Sequence, residues 1–355
     1  MEEAQLIDWS SEESHVLLNP RMPKVERRRL ESLVIDLPAH VWLATSGTTG
    51  ALKLTALSKR AQLTSAAAVN RHLQSTSSDV WCCVLPTFHV GGIGIHARAF
   101  LSGARVVSAQ WDAEAFASMS EITLASLVPA QVDDLVQREL RPPQKLRAVV
   151  VGGGALRAEL YESGSALGWP LLPSYGMTEC CSQIATAGLG SPELILLDHV
   201  EVRTEKDGRL AIKSESLLTG YATEDGFLDP KLDGWFLTED YGTVDDRVLS
   251  IEGRRGDFVK IGGESVDLSR LDAIVASVAG THAAVIAMPD ARLGHVVHLA
   301  VDGELDADAV AAAFNARVHP FERARRVHRV VEIPRTSLGK LMRSRLLELL
   351  LTLSE

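Results

Sequence analysis

From Val41 to Leu197 short apolar runs alternate with stretches in helical register: VWLAT, a helical pattern from about Ser58 to His72, VWCCVL, a helix after Gly92, ARVVS and TLASLV. A further helical pattern near Pro129 to Arg138 and the run RAVVVGG continue the series. Strands alternating with helices predict a mostly parallel sheet with helices layered on its faces. Ligands of such sheets gather at the carboxyl ends of strands. Three Gly-rich or polar segments follow such runs: SGTTG after VWLAT, PTFHVGG after WCCVL and GGGAL after AVVV.

After Leu197 the pattern changes to short alternating runs. In VEVRTEKDGRLAIKS the pair Asp207-Gly208 reads as the turn of a hairpin, and this stretch predicts a small β-rich subdomain. The segment GRRGDFVKIGG, residues 253 to 263, mixes charge with glycine, and a fresh helix-strand pattern runs from Asp267 to Met288. The expected fold is therefore α/β, with a large N-terminal domain over residues 1–253 and a small mobile C-terminal α+β domain over residues 254–355. The small domain is expected to end in the loop PRTSLGK and an amphipathic helix from about Leu341 to Leu353. A chain of 355 residues is longer than one compact core usually organises.

Charge narrows the partners. Lys and Arg number 36 against 46 Asp and Glu, a net charge of −10, which argues against a nucleic-acid or anionic-membrane surface. Any anionic ligand must be held locally. The acidic segment Met1 to Ser14 has no apolar signal-peptide core, and no later run has the length of a membrane span. A cytoplasmic protein acting on small molecules, without membrane insertion and compatible with a homo-oligomer, is expected. The four cysteines form adjacent pairs, Cys82-Cys83 and Cys180-Cys181, unlike the spaced ligands of metal sites, and are expected to be buried reduced thiols.

Four segments carry candidate chemistry. Thr45, Ser46, Gly47, Thr48, Thr49, Gly50 and, after Ala51-Leu52, Lys53 put glycines and hydroxyls directly after a strand with a lysine closing the loop. Such a loop can wrap phosphate oxygens with backbone N–H groups; a flexible turn fits equally, and the Walker spacing is absent. Ser174-Tyr175-Gly176-Met177-Thr178-Glu179 offers an aromatic for a base, a hydroxyl for a phosphate and a carboxylate for Mg²⁺, or simply a buried tyrosine before a capping segment. Gly234 to Gly242 contains Asp240, able to accept ribose hydroxyls or to sit idle in a turn. Lys340, in a loop before the last helix, is either a delivered cation or a solvated one.

In order and combination these segments resemble the superfamily of acyl-CoA synthetases, luciferases and peptide-synthetase adenylation domains, over residues 41 to 345. Thr45 to Lys53 looks like its phosphate loop, Gly152-Gly153-Gly154-Ala155-Leu156 like its adenine-side turn, Tyr175 to Glu179 like its central signature, and Trp235 to Gly242 like its ribose segment. Gly253-Arg254 resembles its hinge motif, and Lys340 its C-terminal lysine. Within the superfamily, Cys180-Cys181-Ser182-Gln183 and Phe88-His89-Val90-Gly91-Gly92-Ile93 followed by Arg98 most resemble the o-succinylbenzoate–CoA ligases of menaquinone synthesis.

The resemblance implies an acid:CoA ligase that uses ATP, Mg²⁺ and coenzyme A and no tightly bound prosthetic group. It implies Lys340, Thr178, Glu179 and His89 in catalysis, with Mg²⁺ near Glu179. Pyrophosphate falls to Ser46 through Gly50 and Lys53, ribose to Arg254 and Asp240, and adenine to Tyr175 with Gly153-Gly154. His89, Arg98, Ser182 and Gln183 fall to the acid, Arg98 as candidate partner for its second carboxylate. For His89 a satisfied core histidine, and for Arg98 an outward-facing helix residue, are equally compatible. A ligase for another aromatic or fatty acid would share every ATP residue, and a non-catalytic nucleotide sensor would lose Lys340 or Glu179. Three departures stand out: family members usually carry a longer segment ahead of the phosphate loop, Leu52 replaces the loop's usual proline, and Gly256 followed by Asp257 replaces the usual polar hinge residue.

Overall fold

The computed structural model describes residues 7–46, 52–254, 258–261, 264–290, 293–303, 305–336 and 339–352. The chain divides into two compact units, one of residues 1–238 and 243–250, the other of 239–242 and 251–355.

The first unit holds two sheets. The strand formed by VWLAT, His40–Ser46, does not enter the parallel sheet expected for it: it pairs antiparallel with Leu52–Ser58, in register Thr45 to Lys53 and Ser46 to Leu52. The reason is chain length. A parallel crossover needs about a dozen residues, and the few residues between these strands allow only a hairpin. This sheet runs in the order His15–Leu17, His40–Ser46, Leu52–Ser58, Gly220–Thr223, Gly226–Leu228. One face buries Trp42, Leu54 and Ala56 against Leu30 of the helix Lys24–Glu31.

The larger sheet has eleven strands. Arg105–Ser108, Val80–Cys83, Leu124–Leu127, Ala148–Val151 and Leu171–Met177 lie side by side and parallel, with uniformly buried side chains where helices cover both faces, as LASL and AVVV show. At Leu171–Met177 the pairing changes hand: Ser182–Thr186 returns antiparallel, followed by Leu194–Leu196, Val248–Arg254, Trp235–Asp245, Arg209–Ser214 and Val200–Thr204. The change of texture after Leu197 is this change from parallel to antiparallel pairing. Helices Lys59–Leu73 and Val90–Ser102 pack together over the sheet. Ser58 Oγ caps the first of them by accepting from Ala61 N at 3.1 Å.

In the second unit, Ala283–Asp290 pairs antiparallel with Gly294–Val301, which pairs parallel with Arg326–Arg329. Period-two alternation sorts one strand onto two cores. Ala283, Val285 and Ala287 face Leu271, Val275, Val310 and Phe314, while Ala284, Ile286 and Met288 face Leu346 and Leu350 of the helix Arg343–Thr352. Among the described residues no helix is long and apolar enough to cross a membrane. All four cysteines are buried and none is in a disulfide among the described residues.

The amino ends of the parallel strands are tied together by Asp79. Its carboxylate accepts from Arg147 Nη2 at 2.8 Å and Nε at 3.1 Å, from Thr123 Oγ1 at 2.7 Å and from Thr76 N at 2.9 Å. Burial pushes its pKa up, but the hydrogen bonds and the charge of Arg147 outweigh burial and hold it below the ordinary value. A depressed pKa stabilises the fold above the unfolded value and loses that contribution as pH falls through the folded one. Asp79→Asn is therefore expected to cost about 2–3 kcal/mol at neutral pH, somewhat below a fully enclosed pair because Arg147 reaches solvent. In urea titrations the gap to wild type should narrow as pH falls below the carboxylate range.

Candidate active site

The hand change of the large sheet builds the centre of the site. A turn, Thr178–Cys180, joins the strands Leu171–Met177 and Ser182–Thr186. The register slips between Tyr175 and Gly176, and a Cβ on Gly176 would lie 1.8 Å from the Ser182 carbonyl oxygen. Only glycine allows the two chains to close there. The turn projects Glu179, whose backbone oxygen accepts from Leu218 N at 2.7 Å and whose Oε1 accepts from the Tyr221 hydroxyl at 2.8 Å. Lys53, at the start of the hairpin's second strand, rests its ammonium 3.1 Å from the centroid of the Tyr221 ring. Thr45 and Thr55 share a hydroxyl hydrogen bond of 2.9 Å beside it. Glu179, Lys53 and Thr45 thus converge, although they come from different sheets. Gly47, Thr48, Thr49 and Gly50 lie outside the described residues.

The glycine turn after Ala148–Val151 lies on the neighbouring strand. Gly153 takes φ +79°, a Cβ on Gly152 would come within 2.9 Å of Ser174 Oγ, and Ser174 Oγ donates to Val151 O at 3.0 Å. Gly152 and Gly153 thus keep side chains away from Ser174 and Val128 at this strand end, next to the strand that carries Tyr175. An accessible carboxylate among hydroxyls and a lysine also suits a hard cation carrying phosphate, so ATP with Mg²⁺ fits the residues described.

A second group of candidate residues is built on the helix Val90–Ser102. Arg98 points inward, not to solvent, and is 1% exposed. Its Nη2 donates to Ser182 Oγ at 3.1 Å and its Nη1 to Ser126 Oγ at 3.4 Å, while its Nε has no hydrogen-bond partner among the described residues. The guanidinium lies 5.5 Å from the ring of Trp81. Gly94, one turn earlier, leaves the room: a Cβ there would stand 3.2 Å from Arg98 Nη2. Burial lowers the Arg98 pKa to about 10, with Cys83 acting weakly in the other direction, so the group remains a cation at neutral pH. Among the described residues no carboxylate pairs with it. Ser182 adopts φ +108°, a strained backbone for a residue with a side chain, costing about 1–3 kcal/mol. Gln183 is buried and accepts from Thr186 Oγ1 at 2.7 Å. His89 precedes the helix with its ring 4.6 Å from that of Phe88, and burial lowers its pKa to about 4, so it acts as a neutral imidazole.

In the second unit the lysine loop folds back on itself. Thr336 N donates to Lys340 O at 2.8 Å, Lys340 N to Thr336 Oγ1 at 3.1 Å, and Arg335 reaches both Gly339 O and Thr281 O. The Lys340 side chain is exposed. Asp240 lies on Trp235–Asp245, and Arg254 ends Val248–Arg254; Gly256 and Asp257 lie outside the described residues. Two surface clefts of about 450 and 460 Å³, beside Trp9 and Leu63 and beside His199's neighbours Asp198 and Val200, contain none of these residues.

The family model for AMP-binding enzymes matches residues 39–222, which include the turn of Glu179, Lys53, Arg98 and Tyr221. The chain belongs to the AMP-binding enzyme family. It is 30% identical to the 2-succinylbenzoate–CoA ligase of Bacillus licheniformis, over 89% of this chain and 71% of that protein. It is 29% identical to the enzyme of the same name from Listeria monocytogenes, over 91% and 72%. The solved o-succinylbenzoate CoA synthetase of Bacillus subtilis in complex with ATP and magnesium ion is similar, with TM-score 0.76, 26% identity and coverage of 87% of this chain and 69% of that one. The same protein in complex with the acyl-adenylate intermediate superimposes with TM-score 0.76 at 25% identity, covering 86% and 68%.

Sequence reading did not single out Tyr221, which contacts Glu179 and Lys53, or Ser126 and Trp81, which lie against Arg98. Each lies in an ordinary strand far along the chain from the group it touches, and no local spacing marks it. The steric argument at the turn is testable. Gly176→Ala is expected to lower stability by about 3 kcal/mol or more, as a backbone clash in a packed site does, and to abolish ATP binding in calorimetry. Gly188→Ala, with nothing within 4 Å of its new Cβ, should change neither.

Proposed function

We propose that this adenylate-forming enzyme is an ATP-dependent, AMP-forming acid–CoA ligase that activates 2-succinylbenzoate for menaquinone synthesis. The observation that carries the substrate assignment is Arg98: a desolvated guanidinium, donating to two serines and lacking a carboxylate partner, is made for an anionic group on the ligand. The relatives named as 2-succinylbenzoate–CoA ligases support it, because that acid has a second carboxylate beyond the one activated.

A carboxylate is a poor acyl donor, since its leaving group would be oxide. Joining it to the α-phosphate of ATP expels pyrophosphate and gives an acyl-adenylate, from which the CoA thiol displaces AMP. The first step brings two anions together, and alignment and positive charge lower its barrier. In our reading Lys340 supplies charge at the reacting oxygens, Lys53 and the Ser46 to Gly50 loop hold pyrophosphate, and Thr178 contacts phosphate. Asp240 and Arg254 hold ribose, while Tyr175 and Gly153-Gly154 line adenine. Glu179 would hold Mg²⁺, which when bound neutralises phosphate charge. His89, neutral, closes the acid pocket without competing for the carboxylates, and Ser182 and Gln183 form its wall. We infer that rotation about Gly256 and Asp257 exchanges Lys340 for CoA between the steps. With ATP and CoA as its cosubstrates, we place the enzyme in the cytoplasm.

Purified protein is expected to exchange pyrophosphate into ATP with 2-succinylbenzoate and far less with benzoate or octanoate. Arg98→Met should raise the KM for 2-succinylbenzoate by about thirtyfold or more, the scale of losing one partner of a buried charge pair. The KM for ATP should stay within about twofold. Equal exchange across the acids, or a parallel rise in both constants, contradicts the substrate assignment.

A further inference from the structure

Tyr221 belongs to none of the segments that carry the ATP chemistry, yet it touches two of the groups assigned to it. It lies in the strand Gly220–Thr223 with 7% of its surface exposed. The backbone just before it is pinned on every side. Thr219 N donates to Ala56 O at 2.8 Å, the Thr219 hydroxyl meets His40 Nε2 at 2.8 Å, and the Lys231 ammonium donates to Leu218 O at 2.7 Å. Leu218 N donates to the backbone oxygen of Glu179 itself. Gly220 admits no side chain, because a Cβ would lie 2.7 Å from Leu228 O. The register pairs Tyr221 with Thr55, so Lys53, two residues along the same strand, is its diagonal neighbour on the same face.

We infer that Tyr221 is a positioning residue that couples the phosphate lysine to the metal carboxylate, its hydroxyl orienting Glu179 and its ring seating Lys53. The two contacts reinforce each other. A phenol donating its proton toward a carboxylate gains electron density on the ring, which strengthens the ring's attraction for a cation. With Oε1 engaged at 2.8 Å, Glu179 Oε2 has no hydrogen-bond partner among the described residues, and the carboxylate enters the site in one orientation. The ring keeps the lysine from collapsing onto that carboxylate, an ion pair that phosphate and metal would have to break. The inference rests on the ligase reading for the roles of Glu179 and Lys53.

The two contacts separate by substitution. Tyr221→Phe keeps the ring and removes the hydroxyl; Tyr221→Leu removes both. ATP binding is measured by calorimetry, with EDTA and across a Mg²⁺ titration, in wild type, both variants and Glu179→Gln. Tyr221→Phe is expected to raise the half-saturating Mg²⁺ concentration about tenfold, the scale of one charge-assisted hydrogen bond, and to leave ATP affinity in EDTA within about twofold. Tyr221→Leu, if it folds, should lose affinity in EDTA as well. A Tyr221→Phe protein with wild-type Mg²⁺ dependence, beside a Glu179→Gln protein that has lost it, overturns the inference and leaves the ligase reading intact. Wild-type Mg²⁺ dependence in both overturns the inference together with Glu179 as the metal carboxylate. Equal losses for Tyr221→Phe with Mg²⁺ and with EDTA would reduce Tyr221 to a structural residue.

Discussion

A guanidinium enclosed by protein, with no carboxylate pairing with it among the described residues, is an unfavourable object, and much of the structure around the helix Val90–Ser102 holds one. Arg98 has exchanged water for two serine hydroxyls and the face of Trp81, which is weaker solvation than it lost. Several otherwise odd features follow from keeping it there. Gly94 leaves space for it, and Ser182 accepts a strained backbone while placing an oxygen against it. The neighbouring histidines His89 and His96 have pKa values of about 4 because of burial and add no competing charge at neutral pH. Among the described residues no carboxylate pairs with Arg98, and in the proposed reading an anionic ligand is what satisfies it.

The turn of Glu179 solves a different problem, which is to gather groups from two sheets. The large sheet provides the turn of Glu179 where its pairing changes hand, and the smaller sheet provides Lys53 and Tyr221. One backbone bond, Leu218 N to Glu179 O at 2.7 Å, and one side-chain bond, from the Tyr221 hydroxyl, join them. Glycine is required where these chains meet: Gly176 lies almost against the Ser182 carbonyl, and Gly220 against that of Leu228. The turn of Glu179 lies at the carboxyl end of the parallel strands, where parallel order ends, which is where such sheets generally bind ligands.

Much of this was legible from pattern. Apolar runs located each parallel strand from VWCCVL to AVVV, and Asp207-Gly208 located a hairpin turn, because strand periodicity and turn chemistry are local properties. The strand Leu52–Ser58 was not read. LKLTALS follows a glycine-rich loop and has a single β-branched residue, Thr55, and its place comes from pairing with its two neighbours. The orientation of Arg98 was equally hidden. The helix VGGIGIHARAFLS is apolar nearly all round, so periodicity gives it no preferred face, and Phe100 and Leu101 end up more exposed than Arg98. Tyr221 acts on Glu179 across 42 residues, a relation that only the sheet creates.

The claim on which the account turns is that Arg98 is kept for a ligand at the expense of the empty protein. Stability of Arg98→Met without ligand, compared with wild type by chemical denaturation, tests it most directly, because methionine fills similar space without charge. The account predicts a variant at least as stable as wild type, within about 1 kcal/mol or better, since replacing a poorly compensated buried charge by an apolar side chain is neutral to favourable. It also predicts that 2-succinylbenzoate with ATP stabilises wild type and not the variant. A variant destabilised by about 3 kcal/mol or more, with ligand stabilisation intact, would contradict it and make Arg98 part of the scaffold.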